Sequence, residues 1–556
     1  MRRSRVSLVV LASCGLALWS ATAGQAQQVP SVTLKSKAEL VLVPTLVTEQ
    51  GKPVRGLTAQ DFILLHDGQA ENIAVFEEVE AVPASVQRPT LPPHTVQNYA
   101  SADSHQDVVI LLLDFLNASW STRARILSYL SSDLARQFAD ARIPISVLLL
   151  SSNGLVEAHS FTSDPEDLVK GVQQWSAKLP YRMPVVFSSW TDPTAPTTPL
   201  WTATALRRSI AADNVIAGPW RRAIQEAAAV NTADAIQQIA EAYRGVPGRK
   251  KLIWISTGFP MAFVPGGEAP EASIASTEFH IHDQVTRAWK SLSDANIVVY
   301  PIDSNGVTAP DLGLRPKGVT GPMDPPPLTE EMPTSQGSLM EVAQKTGGLF
   351  CTDLVARCVT YAQADAPHYY VLGFYLHGQN KPGWHKIRVK VNRADGTVRN
   401  RDGFVLGDST PLKEAAEKDV VLAALTSPLD YTSIPMQLQW SRRPGQSDKV
   451  EIALEVSCPP GAITLQSGEQ TMNVDFLAFV RPMGKTEGRT FPKSFVAKLP
   501  PQQLAKFATS GFAFRKQVTV TPGRYELRVL LRDNVGHKMG TVSTLVDLTG
   551  PRPPRQ

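Results

Sequence analysis

From Val108 onward the chain alternates short, continuously apolar runs with stretches of helical spacing. No other feature constrains its fold as much. Val108 to Leu113 contains no polar residue, as expected of a strand covered on both faces. Within Ser121 to Asp140, Ile126, Leu130, Leu134 and Phe138 form one stripe, the pattern of a helix packed along one side. Ile143 to Leu150 and Val156 to Phe161 read as further strands, and Asp164-Pro165 opens a helix with proline in its first turn. Asp234 to Tyr243, Phe279 to Ala295 and Ser338 to Lys345 have helical spacing, while Leu252 to Ile255 and Ile297 to Ile302 are apolar strands. The expectation is an α/β, doubly wound sheet over residues 107–366, with ligands bound at the carboxyl ends of its strands. Residues 180–218, rich in Pro, Thr and Trp, read as an insertion in it.

The rest of the chain reads as β structure. Residues 28–80 predict a small N-terminal β unit, with Glu49-Gln50-Gly51-Lys52 and His66-Asp67-Gly68 as turns. Residues 81–106 have no periodicity and read as a linker. Residues 367–407 read as a β-hairpin extension, 408–549 as a C-terminal β-sandwich with alternating strands, and 550–556 as a disordered tail.

The N-terminus carries an export signal over residues 1–26. Arg2, Arg3 and Arg5 precede an apolar stretch, and Ala21-Thr22-Ala23 or Gly24-Gln25-Ala26 offers the cleavage site. Leu11-Ala12-Ser13-Cys14-Gly15 also resembles a lipobox, which would anchor the chain by lipid at Cys14. The apolar run before Cys14 is short for that, so the cleaved signal is preferred. Removing this segment takes away three arginines and no acid, lowering the formal net charge from +4 to +1, so the basic balance is no argument for nucleic acid. No later apolar stretch is long enough to span a membrane. The expected location is the periplasm, the outer-membrane surface or the medium, where disulfides are permitted. Cys351, Cys358 and Cys458 remain after cleavage. In one straight helix Cys351 and Cys358 would lie about 10 Å apart, too far to bridge. They can pair only across a turn, and buried or free thiols are the alternative.

Several segments together resemble a family. They are Thr48-Glu49-Gln50-Gly51-Lys52-Pro53-Val54-Arg55-Gly56-Leu57-Thr58 leading into Asp61-Phe62, then Leu113-Asp114-Phe115-Leu116-Asn117, then Gly245-Val246-Pro247-Gly248-Arg249-Lys250-Lys251. Val299-Tyr300-Pro301-Ile302-Asp303, Ala343-Gln344-Lys345-Thr346-Gly347-Gly348 and Tyr369-Tyr370-Val371-Leu372-Gly373-Phe374 follow. In this order, over roughly residues 40–405, they resemble the exported bacterial VWFA-related proteins of acidobacterial type. The resemblance implies a von Willebrand factor A-like domain and an adhesive or scaffolding role.

Such domains often hold a divalent ion through a D-x-S-x-S motif plus a threonine and an aspartate from later loops. Here Asp114 stands in the first position, but Leu116 replaces the next oxygen. The candidate ligands are Asp114, Asn117, Ser119, Thr232, Thr257 and Asp303, and the site reads as degenerate. With one certain carboxylate it compensates poorly for dehydrating Mg²⁺ or Mn²⁺. The expectation is therefore no cofactor, with Asp114 capping its loop through backbone N–H groups.

No catalytic constellation is legible. Gly484-Lys485-Thr486 lacks the upstream glycine of a P-loop, no G-x-G occurs, and neither H-E-x-x-H nor G-x-S-x-G is present. His280 and His282 are two apart on an expected helix and would face different ways. Trp175, Trp190, Trp201 and Trp220 flank or lie in the insertion, where packing is the simpler role. The functional expectation is a non-catalytic protein-binding or scaffolding protein of the cell envelope. The alternatives are a structural envelope component without a metal, or a hydrolase using Ser119 or Asp303 with His159 to check as base.

Overall fold

A computed structural model describes residues 40–80, 91–98, 108–162, 165–176, 226–258, 271–304, 332–365 and 368–549. Within those ranges it omits residues 119, 130–144, 377–380, 394–395, 407–413, 445–448, 467, 469 and 486. The export signal with Cys14, the insertion with Trp190, Trp201 and Trp220, Ser119 and the C-terminal tail lie outside the described residues. So do the second half of the helix expected over Ser121 to Asp140 and much of the expected linker.

The expected doubly wound α/β architecture is corrected. The structure is mostly β, with 48% strand against 26% helix, and its described residues are arranged in five sheets that are mostly antiparallel. Among the described residues, parallel strand pairing is confined to one five-stranded sheet. Its order is Ile297–Asp303, Lys250–Ser256, Val108–Asp114, Ile145–Ser151 and then Gly154–Thr162. The last strand is an antiparallel edge, folded back from its neighbour through a turn at Gly154, whose φ is +94°. The expectation weighed the alternation in the middle of the chain, which is local. Three of the four remaining sheets contain pairings between segments hundreds of residues apart, which no local period encodes, and the fourth is built from strands of the C-terminal part alone.

Val108–Asp114, Ile145–Ser151, Lys250–Ser256 and Ile297–Asp303 are each buried at every residue, because both faces of this sheet are covered. On one face Ile110, Leu112, Leu252 and Trp254 pack against the helix at 226–243, the helices Glu271–Asp294 and Met332–Thr346, and Leu425, Leu429 and Leu530 from the C-terminal half. On the other, Val109, Leu111, Leu113 and Ile255 meet Ile126, Leu168, Val172, Cys358 and Val359. Trp175 belongs to this second layer. Gly347, at φ +77°, ends the Met332–Thr346 helix, and the Gly348 N–H returns to the Ala343 carbonyl at 2.8 Å. Among the described residues no helix is long and apolar enough to cross a membrane.

The segments read as an N-terminal β unit and as a hairpin extension share two sheets. Leu40–Glu49 lies between His368–Tyr375 and Thr397–Asn400, and Phe62–His66 pairs with Gly383–Val391. Their apolar faces make one core around Val43, Leu64, Tyr370, Leu372, Phe374 and Ile387. Both expected turns form tight hairpins with two central residues at positive φ, Gln50-Gly51 and Asp67-Gly68.

The C-terminal sandwich has the alternation its sequence shows. Val450–Cys458 is buried at every second residue, as is Thr471–Pro482 over most of its length. Thr95–Gln97, from the expected linker, adds a strand to the Gln437–Pro444 edge. Asn98 pins that strand, donating to the carbonyls of Tyr431 (2.6 Å) and Ile434 (3.0 Å) and accepting from the Met436 N–H.

Cys351 and Cys358 are bridged, with Cα atoms 5.7 Å apart. The turn between them is the condition their spacing demanded. Cys351 bridges to Ile302 and Cys358 lies in the helix Val355–Ala364. Cys458 is a buried free thiol, and burial pushes its pKa up to about 12.

Candidate functional site at the ends of the parallel strands

Parallel strands in register end at one level, so residues distant in sequence meet there. Ile255 pairs with Leu113, Asp114 with Leu150, and Ser256 with Asp303.

Asp114 is the centre of the cluster and is completely shielded from solvent. One carboxylate oxygen accepts the Asn117 backbone N–H at 3.0 Å. The other accepts the Asn117 side-chain N–H at 2.7 Å and the Ser256 hydroxyl at 2.6 Å. The Asn117 amide also donates to the Thr232 hydroxyl at 3.0 Å, which in turn donates to the Ala228 carbonyl at 2.7 Å. The Thr257 hydroxyl donates to the Asn117 carbonyl at 2.7 Å, and the Gly258 N–H reaches the Ser256 oxygen at 2.9 Å. Three segments, the 115–118 loop, the helix at 226–243 and the 256–258 loop, are thereby tied to one carboxylate.

Burial raises the Asp114 pKa above its ordinary value, and the bonds from Asn117 and Ser256 oppose that rise. Arg123, half-buried nearby, is held below its usual range by desolvation, and the charge of Asp114 works the other way. Its guanidinium donates to the Ala118 carbonyl at 3.1 Å, not to Asp114.

Four of the six candidate ligands, Asp114, Asn117, Thr232 and Thr257, thus converge. Ser119 lies outside the described residues. Asp303 ends the neighbouring strand, buried, and accepts the Gln336 side-chain N–H at 2.8 Å. Ser256, not one of the six candidate ligands, also joins the cluster through its hydrogen bond to Asp114. Its signal in the sequence was its place directly after the apolar run Leu252 to Ile255, and the structure sets that strand beside Val108–Asp114.

A divalent ion does not fit these residues. It would have to replace three hydrogen bonds on Asp114, the one carboxylate of the cluster. Leu116 has no oxygen to offer, and the later loop supplies the hydroxyls of Ser256 and Thr257 where a second carboxylate would be needed. Asn117 directs its donor N–H at both Asp114 and Thr232. His159 does not belong to this rim either. It pairs with Val147, three residues before the level of Asp114 and so about 10 Å lower in the sheet. Of His280 and His282 only the helix that carries them is described.

No protein-family model and no curated protein matches this chain. A superoxide reductase (neelaredoxin) from Archaeoglobus fulgidus, in the reduced form, is similar to part of it. The identity is 11% and the TM-score 0.15, over 20% of this chain and 89% of that one. A similarity this slight carries no argument about fold or function.

Proposed function

We propose that this chain is an exported, non-catalytic binding protein of the cell envelope that takes up a protein partner at the rim of its parallel sheet. The observation that carries this reading is the enclosure of Asp114. A carboxylate sealed from water and hydrogen bonded at both oxygens is spent on holding loops, not on chemistry. Asn117 and Thr257 on those loops keep part of their surface in solvent. The resemblance to exported VWFA-related proteins supports the same role, and the Cys351–Cys358 disulfide supports a location outside the reducing cytoplasm.

The test compares the mature chain with Thr257→Arg, which places a long cation on the half-buried rim and leaves Asp114 in place. Both serve as bait for envelope proteins of the source cell, with circular dichroism and melting as fold controls. The expected result is capture by the wild type that the variant loses while its fold stays intact. Equal capture by both would move the partner surface off this rim. Hydrolysis of ester or phosphate substrates by the wild type, abolished by Asp114→Asn, would overturn the non-catalytic reading.

A further inference from the structure

A second constellation lies in the N-terminal sandwich, in residues that the rim does not use. Phe62–His66 turns through Asp67-Gly68 into Gln69–Glu71, and Gly383–Val391 runs antiparallel beside it with Ile387 opposite His66. This register brings His66, Asp67 and His385 together across more than 300 residues of sequence. They are the one group of three potential metal-binding side chains found among the described residues. Both histidines are 7% exposed.

The outer nitrogen of each ring is already committed. His66 Nδ1 lies 3.2 Å from a Glu71 carboxylate oxygen, and His385 Nε2 lies 2.7 Å from the Lys381 carbonyl oxygen. Both partners accept, so a ring that carries a single N–H donates it outward and keeps a lone pair on its inner nitrogen. The inner atoms, His66 Nε2 and His385 Nδ1, face each other at 3.2 Å. Asp67 Oδ2 sits 2.8 Å from the second and 3.5 Å from the first. In those tautomers three acceptors converge with no hydrogen between them, an arrangement that a cation satisfies.

We propose that His66 Nε2, His385 Nδ1 and Asp67 Oδ2 form a binding site for a borderline divalent metal ion of the Zn²⁺ or Co²⁺ class, with water completing the coordination. The distances suit it. Tetrahedral Zn²⁺ with ligands at about 2.0–2.1 Å spaces neighbouring donors by about 3.3 Å, and the three edges here are 3.2, 2.8 and 3.5 Å. Two nitrogens and one carboxylate oxygen are the donors such ions accept. Glu71 and the Lys381 carbonyl occupy the places of the outer partners that orient ligating imidazoles. The rings are held from behind, His385 stacked on Phe404 at 5.3 Å and His66 against Phe374 at 5.4 Å. Asp67 keeps one oxygen on the Lys386 N–H at 2.7 Å, which aims the other at the rings, and its side chain, 48% exposed, opens the site to solvent.

The site is tested on the full mature chain, stripped with EDTA and titrated with Co²⁺ and then Zn²⁺. Stoichiometry, visible absorption and melting temperature are read together. One equivalent of Co²⁺ per chain should bind with the strong visible bands of a four-coordinate ion, Zn²⁺ should displace it, and the melting temperature should rise with free metal. Asp67→Asn should weaken binding at least tenfold. This variant is chosen because Asp67 has φ +48°, a conformation asparagine tolerates, and the amide oxygen can still accept from Lys386. His385→Gln should abolish binding. A wild type that binds neither ion at micromolar concentration would overturn the proposal, leaving a shared proton as the cation. So would equal affinity in wild type, Asp67→Asn and His385→Gln, which would place the metal elsewhere.

Discussion

Ser256→Ala tests the reading of Asp114 as a buried, charged latch. The substitution removes one oxygen and no bulk that another group needs. It deletes a 2.6 Å hydrogen bond to a carboxylate with no access to water, and bonds to charged groups are worth about 1.5–3 kcal/mol. It also leaves the Gly258 N–H, at a buried position, without its 2.9 Å acceptor, a further ~1 kcal/mol. The expected loss is about 2.5–4 kcal/mol. Thr257→Val, which removes a single half-buried bond to the Asn117 carbonyl, should cost only about 0.5–1.5 kcal/mol. Hydrogen exchange followed by mass spectrometry on peptides covering 108–118 and 250–258 reads the local loss directly, and urea unfolding reads the global one. The penalty should shrink in acid. Burial raises the folded-state pKa of Asp114, so the folded chain takes up this proton at a higher pH than the unfolded chain. The cost of the buried charge is therefore relieved as pH falls through the folded value, and Ser256 then has no charge to stabilise. A Ser256→Ala protein within about 0.5 kcal/mol of wild type at neutral pH would refute the latch, because that is the range of substitutions that touch nothing.

Other expectations follow from close contacts and buried groups. A Cβ at Gly245 would lie 1.8 Å from the Thr432 carbonyl oxygen, a backbone atom. Gly245→Ala should therefore break the docking of the 243–246 turn on the C-terminal half and destabilise by at least about 1–3 kcal/mol in urea unfolding. Reducing the Cys351–Cys358 bridge, which closes a loop of about eight residues, should cost about 2.5 kcal/mol by loop entropy. A calorimetric scan with and without reductant reads that loss, and a Cys351→Ser/Cys358→Ser protein should not respond to reductant. Desolvation pushes the Lys250 ammonium down to about 7, so between that pH and the ordinary lysine range the unfolded chain binds more protons than the folded one. Stability should rise as pH is raised through this window, and the rise should be missing in Lys250→Met when melting is followed from pH 7 to pH 10.

Much of the local structure was legible because its causes are local. Uninterrupted apolar runs such as Val108 to Leu113 and Leu252 to Ile255 are strands, since short runs rich in branched aliphatic residues suit a strand covered on both faces. Gln50-Gly51 and Asp67-Gly68 turn because those residues accept positive φ. Asp114 was readable at the end of an apolar strand, while Asn117, Thr232 and Thr257 were set beside it only by what the family resemblance implies. Who holds whom was not readable. Whether Asp114 binds an ion or Ser256 depends on distances of tenths of an ångström, set by how the loops pack.

The architecture and the His66–Asp67–His385 cluster belong to the tertiary structure alone. Alternation over 107–366 suggested a doubly wound protein, yet the sheets that make the molecule mostly β join Leu40–Glu49 to His368–Tyr375 and Thr95–Gln97 to Gln437–Pro444. Strand pairing is chosen by which apolar faces can be buried together, and sequence distance scarcely enters that choice because loop closure grows only logarithmically with length. By sequence, His66-Asp67-Gly68 is a turn and His385 falls in the hairpin extension of residues 367–407. The fold pairs Ile387 with His66, and that register sets the two imidazoles and the carboxylate against one another. The chain alone determined its strands, helices and tight turns, where backbone sterics and residue periodicity act within a few residues. The partners of those strands, and the side chains that meet because of them, were decided by the packing of the whole.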